Sequence, residues 1–281
     1  MVHVSLRYLG MDGNCAVRHL TVRYNGQETP ALDRLSFTLG PTDRCAVVGP
    51  AGAGKTSLLH AMSGILSGQP YVDLQGSITL NGEEVLRGIS GSAFPRVALL
   101  PQDPAVVFSD LAPDVESEMR LTLRQAELPQ EQWEERLERT VRACGIGGFS
   151  RRHPRSLSGG ETQLAALATL LVADSPVVCL DEPCSSLDQE RQVELSRLLS
   201  ATLHDRAIII TETTLTLPVL TCRSIMVLDK GRAIFQGTRE QFWEQLSEFA
   251  EVVDLGGWAE TRDAIGLLSA DDFDRLVEGL L

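Results

Sequence analysis

The fold is decided by Gly49-Pro50-Ala51-Gly52-Ala53-Gly54-Lys55-Thr56-Ser57, a stretch that reads GPAGAGKTS. An apolar run at residues 45–48 precedes it and the segment 58–62 (LLHAM) follows, so the pattern predicts a strand, a glycine-rich loop and a helix. Because glycine lacks a Cβ, the loop backbone can fold into a nest of N–H groups in front of the positive end of the helix dipole. The stretch therefore predicts a loop that binds the phosphates of a nucleotide.

Two side chains carry the chemistry of this loop. Lys55 is expected to reach the β- and γ-phosphates, and Thr56 to offer its hydroxyl to Mg²⁺. The chain contains only two lysines, Lys55 and Lys230, so a flexible ammonium in the loop is informative. A dinucleotide fingerprint is excluded, because Ser57 stands where its third glycine would be. A glycine-rich turn inside a core is the alternative.

Composition limits the class of protein. The 281 residues, 43% hydrophobic and 22% charged, are typical of a globular chain with one large or two ordinary domains. A net charge of −13 argues against a nucleic-acid partner, since duplex binding depends on basic side chains. Six cysteines without a C-x-x-C pair predict reduced, mostly buried thiols in a cytosolic chain. No apolar run is long enough to cross a bilayer, so we expect any role at a membrane to require a partner.

Alternating apolar residues predict a β-layer around the loop. Residues 16–24 and 35–39 flank a polar turn, which predicts an antiparallel hairpin, and residues 77–82 are expected to join it. Tyr24, at the end of the first strand, is either an adenine-stacking ring or an ordinary strand-end aromatic. The charged, periodic stretch 114–143 predicts a helical insertion.

Polar residues follow three further strands. Residues 97–100 precede Gln102, which two prolines hold in a loop and which can bind a metal or the attacking water, or make ordinary hydrogen bonds. The apolar residues 177–180 precede Asp181 and Glu182, whose side chains alternate in direction and so have different roles. We expect Asp181 to bind Mg²⁺ and Glu182 to polarise a water; a solvated acidic turn is the alternative. Residues 207–210 predict a buried strand that ends near Glu212.

The sequence LSGGE at residues 157–161 opens a long apolar helix, predicted over 161–173. Its serine and glycines present free backbone N–H groups and a positive dipole end to an anion. A simple N-cap formed by Ser158 is the alternative.

Taken in order, GPAGAGKT, Gln102, LSGGE, VVCLDEP (177–183) and SSLD (185–188) closely resemble the nucleotide-binding subunit of ATP-binding cassette (ABC) proteins. LSGGE is the specific part, because it separates this family from other phosphate-loop ATPases. The resemblance implies an α/β fold: a phosphate-loop ATPase core with a mainly parallel sheet, an antiparallel β-subdomain, a helical subdomain at about 105–175 and C-terminal helices. The implied boundaries are an extension at 1–14, the ATPase domain at 15–240 and a helical extension at 241–281.

The resemblance also implies roles for the site residues. ATP would contact Tyr24 through its adenine and residues 49–57 through its phosphates, and Mg²⁺ would contact Thr56, Gln102 and Asp181. Gln102 would sense the γ-phosphate and the transport partner, and Glu182 would be the catalytic base. Because two such domains close head to tail around two ATP molecules, as a homodimer or heterodimer, the opposite subunit's ATP would meet Ser158, Gly159, Gly160 and Glu161. Asp188 would link the two subunits across the interface between them.

Within the family, residues 102–104, Phe108 and residues 115–118 look most like the ATPases of energy-coupling-factor and cobalt-type uptake systems for vitamins or metals. This likeness implies an ATPase on the cytoplasmic face of the membrane, bound to a polytopic membrane subunit. Residues 239–249 predict one helix, and Ser269 with Asp272 predicts a capping box that opens another.

Two positions depart from the family pattern. Glu212 stands where a histidine usually donates a hydrogen bond to the γ-phosphate, and an ionised carboxylate cannot donate. Gln163-Leu164 stands where an arginine usually follows the signature. We therefore expect an asymmetric pair, in which this chain binds ATP and contributes LSGGE to a partner's site while its own site turns over slowly.

Two other classes of function remain open at this point. One is an ATP-gated clamp or regulatory protein that dimerises without transport, although such relatives usually carry long coiled-coil insertions or two cassettes. The other is a soluble metabolic kinase, against which LSGGE and SSLD argue strongly.

Overall fold

The computed structural model describes residues 15–85, 96–109, 111–185 and 187–254. The strands of these residues are β1 (Cys15–Tyr24), β2 (Leu32–Leu39), β3 (Arg44–Val48), β4 (Val72–Leu80), β5 (Glu83–Glu84), β6 (Val97–Leu100), β7 (Val177–Asp181), β8 (Ala207–Glu212), β9 (Ser224–Asp229) and β10 (Arg232–Thr238). The α-helices are α1 (Lys55–Met62), α2 (Val115–Gln125), α3 (Trp133–Ala143), α4 (Gly159–Leu171), α5 (Gln189–Thr202), α6 (Thr216–Thr221) and α7 (Arg239–Glu244).

A six-stranded sheet forms the centre of the fold, in the order β10-β9-β3-β8-β7-β6. The five strands from β9 to β6 are parallel, and β10 pairs antiparallel with β9 at the edge. Strand β8 lies between β3 and β7, so the loop after β3 and the residues after β7 flank the end of β8. The mainly parallel sheet that the sequence predicted is confirmed.

Both faces of this sheet are buried. In β3, Cys45 and Val47 belong to one apolar cluster, while Ala46 and Val48 belong to a second cluster on the opposite face. This alternation follows from the period of two along a strand, and continuous apolar residues are typical of a parallel sheet covered on both sides. The chain therefore places its polar site residues at the ends of strands, because the strand interiors are packed.

A four-stranded antiparallel layer, in the order β2-β1-β4-β5, covers one face together with α1. Strand β1 pairs with both β2 and β4. The predicted hairpin and the third strand of the β-layer are confirmed, although β4 begins five residues before the predicted start at residue 77. This layer brings the end of β1 toward the helix that follows the glycine-rich loop.

The other face carries the helices of the insertion and α4–α7. The predicted helical insertion is confirmed as two helices, α2 and α3. An ionic cluster joins α3 to the rest of the molecule, because Asp174 accepts hydrogen bonds from Arg136, Arg139 and Arg206. Arg206 lies directly before β8, so this cluster fixes the insertion relative to the central sheet.

The end of the described chain differs from the prediction. Residues 239–249 were expected to form one helix, but α7 ends at Glu244 and a short 3₁₀ turn, Leu246–Glu248, follows. The rings of Phe242 and Phe249 stack with centroids 5.9 Å apart. Seven residues of a continuous α-helix would separate them by about 10 Å along its axis, so this packing requires a break. The predicted extension at 1–14 and the predicted capping box of Ser269 lie outside the described residues.

The six cysteines are free and buried, which agrees with the prediction of reduced thiols. In the described part of the chain, no helix has both the length and the apolar character needed to span a membrane.

Candidate functional site

The glycine-rich loop connects β3 to α1 at the carboxyl edge of the sheet. Gly54 has φ +106, and a Cβ added there would lie 2.2 Å from the carbonyl oxygen of Ala31. A Cβ at Gly49 would lie 2.1 Å from the carbonyl oxygen of Leu228. Because both obstacles are backbone atoms, glycine is required at these two positions for the loop to pack as it does.

Lys55 begins α1, and its side chain is only 4% exposed. Its ammonium donates hydrogen bonds to the carbonyl oxygens of Gly49 at 2.9 Å and Pro50 at 3.1 Å. It also lies 3.2 Å from Oε1 of Glu182. A buried ammonium is tolerated when it is paired and hydrogen-bonded, and here the loop carbonyls supply the hydrogen bonds while Glu182 supplies the opposite charge.

Glu182 joins two segments that the sequence identified separately. Its Oε1 faces Lys55, and its Oε2 accepts a hydrogen bond of 3.1 Å from Nε2 of Gln102. The loop after β3, the loop after β6 and the residues after β7 therefore meet at this carboxylate. Glu182 has φ +44, a conformation that non-glycine residues rarely adopt and that surrounding contacts must maintain.

Asp181 is buried and points toward β8. Its Oδ1 accepts a hydrogen bond of 2.6 Å from the hydroxyl of Thr211. Thr56, which is expected to bind Mg²⁺ together with Asp181 and Gln102, is exposed at the start of α1. Within the described part of the chain, no group of three or more histidine, cysteine or acidic side chains is arranged to hold a metal ion, and the expected Mg²⁺ ligands stay predictions.

Tyr24 is only partly buried, and its hydroxyl lies 3.1 Å from Oγ of Ser57. This hydrogen bond connects the end of β1 to the first turn of α1. The adenine-stacking role expected of Tyr24 stays a prediction.

The LSGGE stretch forms the amino end of α4. Ser158 and Glu161 make a capping box: Ser158 Oγ accepts the N–H of Glu161 at 3.4 Å, and Glu161 Oε2 accepts the N–H of Ser158 at 2.8 Å. The Ser158 N–H and the nearby Arg152 lower the pKa of Glu161. The cap makes α4 begin at Gly159, two residues before its predicted start. Ser158 and Gly159 are exposed, so they are accessible to another molecule.

The structure also shows the surroundings of Gly159 and Asp188. Gly159 lines a small cleft together with Gln102, Pro183 and Ser185. Asp188 caps α5 by accepting the N–H of Arg191 at 3.0 Å, and its side chain is exposed. Their expected roles toward a second subunit stay predictions.

Glu212 ends β8, paired in register with Val48 of β3, and is only 2% exposed. Its Oε1 accepts the N–H of Cys184 at 2.9 Å. Burial raises the pKa of Glu212 to about 7, with a smaller contribution from Glu182, while hydrogen bonds from Cys184 and Thr213 oppose the shift. The sequence alone predicts an ionised carboxylate at this position, whereas burial gives Glu212 a substantial neutral fraction near pH 7.

Three residues that contact the site were not predicted from the sequence. The hydroxyl of Thr211 donates a hydrogen bond to Asp181, and the N–H of Cys184 donates one to Glu212. Gln163, noted only as part of a departure from the family, donates to the carbonyl oxygen of Pro183. Thr211 directly precedes Glu212 at a strand end, which is a usable signal, but no pattern in the sequence indicates the other two contacts.

A profile of the ABC transporter family matches residues 32–185, more than half of the chain. The chain belongs to the ABC transporter family. The match begins at β2 and ends just after the Glu182 turn, so it includes the glycine-rich loop, Gln102, LSGGE and the carboxylates after β7.

Curated relatives of this ABC protein include two ATP-binding proteins of energy-coupling-factor transporters. EcfA1 of Levilactobacillus brevis is 26% identical over 238 residues, which cover 84% of this chain and 83% of the relative. EcfA2 of Methanospirillum hungatei is 30% identical over 216 residues, which cover 76% of this chain and 52% of the relative.

The fold of this ABC protein is also found in a solved structure, cbiO1 of Clostridium perfringens, described as part of the ABC transporter complex cbiONQ. The two share a TM-score of 0.71 at 23% identity, over 91% of this chain and 98% of the other. At that identity the likeness shows the fold alone, and it confirms the ABC ATPase architecture expected from the sequence.

Proposed function

We propose that this chain is the ATP-hydrolysing subunit of an energy-coupling-factor-type uptake system for a vitamin or a metal ion, bound at the cytoplasmic face of the membrane to a polytopic subunit. The observation that carries the proposal is the meeting of Lys55, Gln102 and Glu182 at the carboxyl edge of the sheet. The names of the relatives EcfA1 and EcfA2 support the choice of transport system.

The residues at this edge fit a nucleotide polyphosphate. The loop backbone passes so close to Ala31 and Leu228 that only glycine fits at two positions, and a paired ammonium lies within it. Lys55 would bind the terminal phosphates, and the N–H groups at the start of α1 would bind the others. Mg²⁺ would be held by Thr56, Gln102 and Asp181 and would neutralise phosphate charge. Tyr24 would stack on the adenine.

Glu182 is the proposed general base. Its carboxylate is shared between Lys55 and Gln102, so it has a defined orientation at the point where three loops meet. A carboxylate held in this way can orient a water and accept its proton as the water attacks a phosphate. Gln102 donates a hydrogen bond to Glu182. It would therefore couple nucleotide binding at the site to the conformation of the loop that follows β6.

A second subunit is part of the proposal. Ser158, Gly159 and Gly160 lie at the amino end of α4, where backbone N–H groups and the helix dipole favour an anion, and Ser158 and Gly159 are exposed. They would contact ATP held by the opposite subunit. Glu161 would hold Ser158 in place through the capping box, and Asp188 would link the two subunits across their interface.

Exposed apolar side chains support a membrane partner. Val106 is 67% exposed and Leu111 is 85% exposed, and both follow Gln102 along the chain. Exposed apolar patches mark contact surfaces, whereas a single exposed apolar side chain needs no partner. We assign this surface, defined as Val106 and Leu111, to the polytopic subunit.

Turnover at this chain's own site is proposed to be slow. Glu212 replaces the usual histidine, and its carboxylate accepts a hydrogen bond from Cys184 at a distance of 2.9 Å. Because Oε1 is held by Cys184 and Glu212 is only 2% exposed, its carboxyl group is not presented to a γ-phosphate as the side chain of the histidine would be.

The test is the ATPase activity of the assembled complex carrying Glu182→Gln in this chain only. We expect at least half of the turnover to remain, because the partner's site performs most of the hydrolysis. A near-total loss of ATP turnover would contradict the proposal that this chain's own site is slow. Co-purification from membranes with a polytopic protein checks the transport assignment, and an ATP-dependent dimer isolated without one would favour a clamp instead.

A further inference from the structure

The turn of residues 182–185, here called the base turn, leads from β7 toward α5 and begins with the proposed general base. Glu182 has φ +44, so its backbone lies in the left-handed region that favours glycine. The turn is closed by a hydrogen bond of 3.1 Å from the N–H of Ser185 to the carbonyl oxygen of Glu182. A conformation of this kind persists only where neighbouring groups determine it, so the contacts of the turn decide the orientation of Glu182.

Strand β8 holds the base turn from the sheet side. The N–H of Glu182 donates to the carbonyl oxygen of Thr211 at 3.0 Å. Two residues later, the N–H of Cys184 donates to Oε1 of Glu212 at 2.9 Å. Cys184 and Glu212 are both buried, so this hydrogen bond has no water to replace it.

Helix α4 holds the base turn from the other side. Nε2 of Gln163 donates to the carbonyl oxygen of Pro183, the residue between Glu182 and Cys184. Gln163 is buried and lies only two residues beyond Glu161, at the end of α4 that carries LSGGE. The single peptide group that joins Pro183 to Cys184 is therefore bound on both sides, its N–H by an acceptor on β8 and its carbonyl oxygen by a donor on α4.

We propose that Glu212 and Gln163 are positioning residues that clamp the base turn from opposite sides and thereby set the orientation of Glu182. Glu212 acts through its capacity to accept a hydrogen bond and Gln163 through its capacity to donate one. Because Gln163 belongs to α4, a displacement of the LSGGE end of this helix reaches the base turn through one hydrogen bond. The kinetic consequence rests on the proposed function, whereas the clamp itself does not.

Substitutions of similar size separate this role from packing and from charge. Glu212→Gln keeps an acceptor oxygen and removes the charge, whereas Glu212→Met removes the acceptor at similar volume. Gln163→Met removes the donor at similar volume. Thermal unfolding of each variant checks that the fold is retained, and Glu212→Gln is the matched control for Glu212→Met.

The direct measurement is hydrogen–deuterium exchange of the Cys184 amide in the full chain. We expect exchange to accelerate at least tenfold in Glu212→Met and Gln163→Met, and less than threefold in Glu212→Gln. Unchanged exchange in both methionine variants would overturn the clamp. Equal acceleration in Glu212→Gln and Glu212→Met would also overturn it, because the charge rather than the acceptor would then be responsible.

The second measurement is ATP turnover at this chain's own site, in an assembled complex whose other ATPase site has been inactivated, together with the dissociation constant for MgATP. We expect kcat to fall at least fivefold in both methionine variants while the dissociation constant changes less than twofold, because the phosphate loop is untouched. A parallel change in both quantities would indicate a general structural role and contradict the proposal. If the wild-type chain neither binds nor hydrolyses MgATP, the proposed function fails while amide exchange still tests the clamp.

Discussion

The ammonium of Lys55 and the carboxylate of Glu182 form an ion pair of 3.2 Å across the end of strand β8. Lys55 begins the helix that follows β3, Glu182 follows β7, and β8 separates those two strands in the sheet. Lys55 is the residue that would bind phosphate, and Glu182 is the residue that would activate water. Their contact makes this edge of the sheet a single site.

Replacing Lys55 by alanine is expected to weaken MgATP binding at least 100-fold. The buried ammonium is the group on the loop best suited to a terminal phosphate, and its loss also leaves Glu182 without its cationic partner. Isothermal titration calorimetry measures the change. The other lysine, Lys230, is exposed in the turn between β9 and β10, so Lys230→Ala is the matched control and should bind normally. Equal affinity of the two variants would refute the role of Lys55.

The two glycines Gly52 and Gly54 should respond differently to alanine. At Gly54 the new Cβ would meet the carbonyl oxygen of Ala31 at 2.2 Å, and at Gly52 it would meet nothing within 4 Å, although φ is positive at both. We expect Gly52→Ala to lower the free energy of unfolding by about 1–2 kcal/mol, the cost of a left-handed residue. Gly54→Ala should cost at least about 3 kcal/mol, since a backbone clash is added to that cost.

Urea denaturation without nucleotide measures both glycine variants, which keeps phosphate binding out of the comparison. Equal losses of stability in the two would show that Gly54 does not pack against Ala31 as described.

The stability of the protein should depend on pH through Glu212. Its pKa is raised from 4.5 to about 7 on folding, chiefly by burial, so the folded protein holds this proton more tightly than the unfolded chain does. The resulting stabilisation is complete below pH 4.5 and is lost as the pH rises through 7. It amounts to about 3 kcal/mol at most, from the difference between the two pKa values.

Chemical denaturation of the wild type and of Glu212→Gln between pH 4 and pH 9 isolates this contribution. The difference in free energy of unfolding should move in favour of the variant as the pH rises. A constant difference across the range would mean that Glu212 titrates normally.

The surface formed by Val106 and Leu111 should be required for assembly but not for nucleotide binding. A charge at either position would have to be desolvated in an apolar contact, so Val106→Asp and Leu111→Asp should reduce co-purification with the membrane subunit at least tenfold. Ile234, which is 46% exposed on β10, provides the control Ile234→Asp. The assignment would be wrong if Ile234→Asp also lost the membrane subunit, or if Val106→Asp and Leu111→Asp both retained it.

Local patterns in the sequence predicted most of the elements that carry the site. Residues 49–57, Gln102 and Glu182 each follow an apolar strand, and the strand, loop and turn signals lie within a few residues of one another. LSGGE was expected to open α4, and the capping box shows why the helix begins there. The prediction failed for residues 239–249, where the helix breaks so that Phe249 can stack on Phe242.

The sequence by itself determined the glycine-rich loop, the acidic end of β7 and the family, because each of these depends on residues that are contiguous or nearly so. Only the tertiary structure decided that Glu212 binds the N–H of Cys184 and that Gln163 binds the carbonyl of Pro183. These partners are 28 and 20 residues apart, and they meet because β8 lies beside β7 and α4 packs on the helical face of the sheet. Hydrogen bonds of this kind depend on strand order and packing, which no spacing of residues along the chain encodes.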